Sequence, residues 1–321
     1  MRLIDMHCDT ISLMMREERL TNLRKNTWCV DLEKMQQAGS MAQFFASFIY
    51  MQEFQGEDRY GKAYAYALQM LARTKQEFAE HADRIALALS YEDLQNHHVS
   101  GKISGFLTVE EGGILDGSLK RLEELYQEGV RLLTLTWNGE NCIGYPNSRD
   151  EQAMNWGLKP FGFQVVERMN ELGMIVDVSH LSDGGFWDVV RHSKKTVVAS
   201  HSNARALRSH PRNLTDEMIR ALAETGGIAG INFYPWFLNG SANAAICDII
   251  RHMTHMYHVG GEEVVAIGTD FDGFDNGVNE ISDIGQMPLL YEAIKKQGFT
   301  ERQIEKFWCG NAMRVIKENL G

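Results

Sequence analysis

The sequence predicts an α/β protein built as a (β/α)8 TIM barrel. Three observations lead there. Apolar, β-rich runs recur along the chain, helical patterns lie between them, and most runs end in a Gly- or Asp-rich loop. The strand-like runs are, in order, residues 2–6, 43–49, 104–109, 131–136, 174–178, 196–200, 227–232 and 264–268. Helical periodicity falls at 119–127, 161–172, 183–192 and 216–224. Strands alternating with helices of this length indicate a parallel sheet, and eight strands indicate a closed barrel. Residues 84–89 also read as a strand, so a ninth candidate is expected either as an extra or as the true third barrel strand. No repeat, low-complexity tract or Pro/Gly/Ser linker divides the chain, so residues 1–321 are expected to form a single domain. That length suits a barrel of about 250 residues with insertions.

Composition narrows the function classes. Hydrophobic residues make up 44% of the chain and charged residues 23%, which permits a large core under a polar surface. The formal net charge of −11 is spread along the chain and argues against a nucleic-acid or anionic-membrane surface, since both need clustered Lys and Arg. The cysteines, Cys8, Cys29, Cys142, Cys247 and Cys309, are scattered and form no C-x-x-C pair, which fits a reducing compartment. The start MRLIDMHCDT has no basic segment followed by an apolar run, and no stretch has the ~18 apolar residues of a membrane span. A cytoplasmic location is therefore expected, with no membrane partner. No G-x-G-x-x-G, P-loop or H-E-x-x-H motif is present, which removes the common nucleotide-binding and zincin readings.

The chemistry-bearing residues sit where the strands end, the end at which TIM barrels carry their active sites. His7 and Asp9 close the first strand in Asp5-Met-His-Cys-Asp9, and residues two apart on a strand share a face, so both can converge on one ion. His180 ends Met174-Ile-Val-Asp-Val-Ser-His180, and His201 ends Val197-Val-Ala-Ser-His201. Neutral imidazole is a preferred zinc ligand. Glu110 closes Gly105-Phe-Leu-Thr-Val-Glu110, and Asp270 closes Val264-Val-Ala-Ile-Gly-Thr-Asp270. Each alone could be a cap or a solvated loop residue. If the barrel closes, three carboxylates meet at one mouth, and their repulsion and lost hydration cost several kcal/mol per ion unless cations balance them.

The chain resembles the membrane (renal) dipeptidase family of zinc hydrolases, a branch of the amidohydrolase-like barrels. The likeness runs from Asp5-Met-His-Cys-Asp9 to Gly268-Thr-Asp-Phe-Asp-Gly273. Between these lie Leu107-Thr-Val-Glu-Glu-Gly-Gly113, Leu133-Thr-Leu-Thr-Trp-Asn138, Asp177-Val-Ser-His180, Ser200-His-Ser202, Arg212-Asn213 and Asn232-Phe-Tyr234. The resemblance implies a barrel of the metal-dependent hydrolase type that cleaves dipeptides with a hydroxide held between two zinc ions. It implies that His7 and Asp9 hold one zinc, His180 and His201 the other, and Glu110 bridges both. Glu111 is a rival bridge, and strand alternation allows only one of the two acids to serve; the family pattern L-T-x-E selects Glu110. Asp270 would then be the acid/base group. Arg212 would receive the substrate carboxylate, which its planar fork can pair bidentately. Trp137, Asn138 and Tyr234 would contact substrate, and relatives suggest a homodimer.

The chain departs from the mammalian members at one place. Where they carry a histidine that polarises the substrate carbonyl, this chain has Trp137, which can donate one hydrogen bond but cannot be a cation. Oxyanion stabilisation passes to Asn138, Asn141 or the metal. The alternative function is another amidohydrolase reaction on a small amide, lactone or ester, although those barrels commonly show H-x-H on the first strand and a bridging carbamylated lysine. A non-catalytic, metal-stabilised binding module is a second alternative. Among the remaining histidines, His252, His255 and His258 are expected to form a solvated helix face, with Met253, Met256 and Tyr257 in the core. His97 and His98 are expected in a polar loop or helix end.

Overall fold

The computed structural model describes residues 2–16, 21–275 and 277–321. Among the described residues the strands are β1 (Leu3–Cys8), β2 (Ser40–Phe48), β3 (Ile85–Leu87), β4 (Ile103–Glu110), β5 (Val130–Thr134), β6 (Ile175–Asp177), β7 (Val197–Ala199), β8 (Ile228–Ile231), β9 (Asn243–Ala244), β10 (Val265–Ile267) and β11 (Val278–Asn279). The main sheet runs β2-β1-β10-β8-β7-β6-β5-β4-β3 and closes through β2 against β4. That closing ladder is parallel and unbroken from Ala42↔Ser104 to Phe48↔Glu110. β9 and β11 pair with each other in a separate two-residue ribbon.

The ninth strand resolves as an extra. β3 pairs with the start of β4, Ile103–Gly105, while β5 pairs with its end, Leu107–Glu110. The two share one edge of β4, so the third barrel strand is the run predicted at 104–109. Helices at Leu119–Gln127, Asp183–His192 and Asp216–Glu224 match their predicted spans, and 161–172 gains Pro160 at its first turn. Proline suits that position because its missing N–H would be unpaired there anyway. Strands β6 and β7 are shorter than their apolar runs by one residue at each end.

The barrel interior is layered. Ile4, Phe44, Phe106, Leu132, Ile175, Val198, Ile228 and Ala266, one from each barrel strand, form a buried apolar cluster. Ala312, Val315, Ile316 and Leu320 of the helix Asn311–Leu320 join the same cluster. Further along each strand the same face turns polar: Phe106 gives way to Thr108 and Glu110, Leu132 to Thr134, Ile175 to Asp177 and Val198 to Ser200. The period of two along a strand thus sets a polar layer directly on an apolar plug. The polar layer is also crowded. A Cβ at Gly230 or Gly268 would overlap the Ser200 carbonyl, so these glycines let β8 and β10 close around β7.

Candidate metal centre

The polar layer gathers six side chains at the C-terminal end of the barrel. His7 Nε2 lies 3.2 Å from Asp9 Oδ2, 3.4 Å from Glu110 Oε2 and 3.8 Å from Asp270 Oδ1. His180 Nε2 lies 2.9 Å from the other oxygen, Glu110 Oε1, and His201 Nε2 lies 3.6 Å from it. The ligand atoms of His7, Asp9 and Glu110 form one compact group and those of Glu110, His180 and His201 a second. Glu110 belongs to both. Its neighbour Glu111 turns away at a left-handed backbone (φ 105°) and accepts from Gly113 N, Asn141 Nδ2 and Trp137 N. Glu111 therefore pins the loop after β4 and takes no place in the cluster.

Local structure explains the convergence. Asp270 N donates to His7 O and Asp9 N to Phe271 O, which ties the end of β1 to the loop after β10. His180 and Asp270 both adopt left-handed backbone conformations, at φ 70° and 61°. Such a conformation costs a non-glycine residue about 1–3 kcal/mol and persists only where surrounding contacts enforce it. It reverses the chain so that His180, three residues after Asp177, still points into the mouth. Ser182 then caps the helix Asp183–His192 by accepting from Gly185 N.

Buried polar partners orient the clustered side chains. Asp177 accepts from Ser179 N, Ser200 N, Thr134 Oγ1 and Ser200 Oγ. Since the Ser200 hydroxyl proton goes to Asp177, Ser200 Oγ accepts from His201 Nδ1 at 2.7 Å. His180 Nδ1 lies 3.0 Å from Asn138 Oδ1, which also accepts from Asn147 Nδ2. Asp5 accepts from Thr269 N, Thr269 Oγ1 and Gln43 Nε2 beneath β1. Asn232 Nδ2 donates to Asp270 Oδ2 at 2.8 Å.

The electrostatics are those of a site short of positive charge. Burial lifts Asp9 to about 6 against the pull of His7, and lifts Asp270 to about 7, with Asp9 and Glu110 adding to the rise. Burial works to neutralise His7, yet Glu110 and Asp9 overcome it and raise His7 well above its ordinary range. His180 is lowered to about 4 and His201 well below the imidazole range, by burial and by nearby cations. Asp9 Oδ1 is buried without a hydrogen-bond partner among the described residues. Opposed Nε2 atoms, an unpartnered carboxylate oxygen and crowded carboxylates fit divalent cations, as imidazole and carboxylate ligands do.

A cavity of about 360 Å³ opens above this layer, lined by Asp9, Glu110, His180 and Asp270 and walled by Phe48, Tyr50, Trp137, Asn138, Tyr234, Phe237 and Phe274. Trp137, Asn138 and Tyr234 are among its lining residues. Arg212 does not line this cavity. It is buried beside it, donating to Ser202 Oγ and to the His201 carbonyl, with Nε unpartnered among the described residues. Asn141 is consumed structurally: Nδ2 donates to Glu111 and Leu135 O, and Oδ1 accepts from Ile143 N and Gly144 N.

Sequence reasoning passed over several residues. Asp5, Asp177 and Ser200 lie within the strand-end motifs, but nothing local marks them as orienting groups. Phe48 and Tyr50 carried no signal apart from alternation at the end of β2. The histidine triplet is corrected. His252 is buried, accepting from Ala204 N and donating to Leu238 O, and His255 pairs with Asp216, so these two do not form a solvated face. Met253 and Met256 are in the core, and Tyr257 packs against it. His97 reaches back to Ser104 Oγ from the helix Tyr91–Val99. The five cysteines are free thiols, and no described helix is long and apolar enough to cross a membrane.

The family model described as membrane dipeptidase, peptidase family M19, matches residues 1–320. An uncharacterised dipeptidase of Schizosaccharomyces pombe is 32% identical over 90% of this chain and 71% of its own. The crystal structure of dipeptidase AC, an M19 metallopeptidase, superposes with a TM-score of 0.91 at 27% identity, covering 100% of this chain and 99% of its own. A Rhodobacter sphaeroides metallopeptidase, liganded with a phosphinate mimic of the dipeptide L-Ala-D-Ala, superposes with a TM-score of 0.89 at 25% identity over 99% of each chain.

Proposed function

Because the chain belongs to the membrane dipeptidase family, and so is a metal-dependent dipeptidase, we propose that His7, Asp9 and Glu110 would hold one zinc ion and that Glu110, His180 and His201 would hold a second. The observation that carries this reading is the division of one carboxylate: Glu110 Oε2 faces His7 while Glu110 Oε1 faces His180 and His201. Bound divalent cations would supply Lewis acidity, lowering the pKa of a water and polarising the scissile carbonyl.

The chain's own residues do the rest. Asp270, held by Asn232, takes the proton of the attacking water and returns it to the departing amine. Arg212 receives the C-terminal carboxylate. Its buried guanidinium has an unpartnered Nε, and its charge is felt at His180, His201 and Asp270. With Asn141 consumed, Asn138 is the side-chain donor for the developing oxyanion: its Oδ1 is occupied by His180 and Asn147, which leaves its amide N–H group for the cavity. Trp137 and Tyr234 are substrate walls.

We further place the protein in the cytoplasm, in keeping with its free thiols, as one catalytic unit that pairs into a homodimer as the family resemblance suggests. Elemental analysis of the purified protein should find close to two zinc ions per chain. A dipeptide panel should release free amino acids, and chelation should abolish that release. Turnover of lactones or phosphotriesters in place of dipeptides would reject the reading. Light scattering tests the dimer.

A further inference from the structure

Two aromatic walls face each other across the mouth. On one side, Trp137 packs 5.0 Å from Phe48 and 5.4 Å from Tyr50 between ring centroids, and 6.2 Å from the His180 ring. On the other, Tyr234 packs 4.8 Å from Phe237 and 5.1 Å from Phe274, and the Arg212 guanidinium lies 5.5 Å over Phe237. The barrel order makes these walls opposite. Phe48 and Trp137 flank β4 from β2 and β5, and β4 is four strands from β8 in either direction around the barrel.

The metal ligands lie between the walls, so a peptide bond presented to them has one residue on each side. With the carboxylate drawn to Arg212, the carboxyl-terminal residue lies by Tyr234 and Phe237. The amino-terminal side chain then lies against Phe48, Tyr50 and Trp137. Aromatic faces reward apolar area and ring stacking and give little to a small side chain. The geometry points to a dipeptidase that selects its substrates by a large apolar or aromatic amino-terminal residue, read by Phe48, Tyr50 and Trp137. This inference rests on the dipeptidase reading and on Arg212 as the carboxylate partner.

The test compares kcat/KM of the zinc-loaded enzyme for Phe-Ala, Leu-Ala, Ala-Ala and Ala-Phe. Wild type should favour Phe-Ala over Ala-Ala by at least tenfold. Trp137→Ala and Tyr50→Ala should each shrink that ratio, and Trp137→Phe should restore most of it. Metal content and thermal midpoint verify that each variant is folded and loaded. Equal rates for Phe-Ala and Ala-Ala, a ratio unmoved by both alanine variants, or a preference for Ala-Phe over Phe-Ala would overturn the inference while leaving the dipeptidase reading intact. No turnover of any of the four would overturn the dipeptidase reading, and this inference with it.

Discussion

The Nε2 atoms of His180 and His201 face each other at 3.0 Å, while each ring turns its Nδ1 to an oxygen, Asn138 Oδ1 for one and Ser200 Oγ for the other. With the protons on Nδ1, two lone pairs oppose each other, an arrangement that a cation between or beside them relieves. His201→Ala should therefore drop bound metal from about two ions to about one. It should lower kcat/KM by more than the ~10–100-fold typical of outer-shell changes. Elemental analysis beside steady-state kinetics reads both effects, and a variant that keeps both ions would contradict the ligand assignment.

Ser200 should matter nearly as much without touching the metal. It passes a hydrogen bond from His201 Nδ1 to Asp177, so Ser200→Ala frees the ring to rotate or change tautomer. The expected cost is about 10–100-fold in metal affinity, measured by competition with a chromogenic chelator. Asp177→Ala should go further and destabilise the metal-free fold by on the order of 3 kcal/mol, because it strands several buried donors at once. Urea denaturation of the metal-free protein checks this.

What was legible in the residues, and what was not, follows from geometry. His7 and Asp9 could be paired from alternation alone, because a strand fixes the face of each residue. Glu110 could be told from Glu111 as a pair in which one acid must face outward, but which one needed the family likeness. His180 could be placed at a strand end, yet its return into the mouth depends on a left-handed turn that its residue type does not announce. Asp5 and Asp177 read as ordinary acids because their role lies in partners distant in sequence. The triplet His252, His255, His258 shows the limit of spacing. Steps of three residues on an α-helix drift by about 60° each, so the three histidines walk from the core to solvent and share no single face.

The proposed pairing of Arg212 with the substrate carboxylate can be tested directly. Arg212→Ala should lower kcat/KM about 10–100-fold for dipeptides with a free carboxylate, since hydrogen bonds to charged groups are worth about 1.5–3 kcal/mol. Dipeptide amides should be far less affected. Arg212→Lys should recover little, because an ammonium lacks the planar fork. Equal losses for acid and amide substrates would show that Arg212 supports the fold around His201 and Ser202 and does not bind the carboxylate.

Asp270→Asn should separate proton transfer from metal binding. Asparagine tolerates the left-handed backbone at this position and keeps the shape of the side chain. Removing a general acid/base group typically costs about 10²–10⁴-fold in rate. The expected phenotype is a kcat lower by that amount with both ions retained and KM little changed. Loss of one ion on the same substitution would instead make Asp270 a ligand of the first site, a role its 3.8 Å approach to His7 also permits.

The two halves of the centre should respond differently to pH. Around the first half, burial raises Asp9 to about 6 and neighbouring Asp270 to about 7, and Glu110 and Asp9 raise His7 well above the imidazole range, so as pH falls toward 6 this half takes up protons that compete with a cation. Around the second, His180 at about 4 and His201 well below its ordinary range are neutral, and Glu110 is held below the usual carboxylate range by His7 and His180 despite burial. The sign follows. Raising pH from 6 toward 8 lowers proton competition in the first half and strengthens its hold on metal, by at most about tenfold per pH unit for each group still protonated. The second half has no proton to lose in that window. On acidification from pH 8 to 6, the His7–Asp9 site should therefore empty before the His180–His201 site, leaving a protein with one ion and little activity. Metal content after dialysis at stepped pH, compared between wild type and His201→Ala, distinguishes the sites: the variant, which keeps only the first half, should lose its remaining ion over the same pH range in which wild type loses its first.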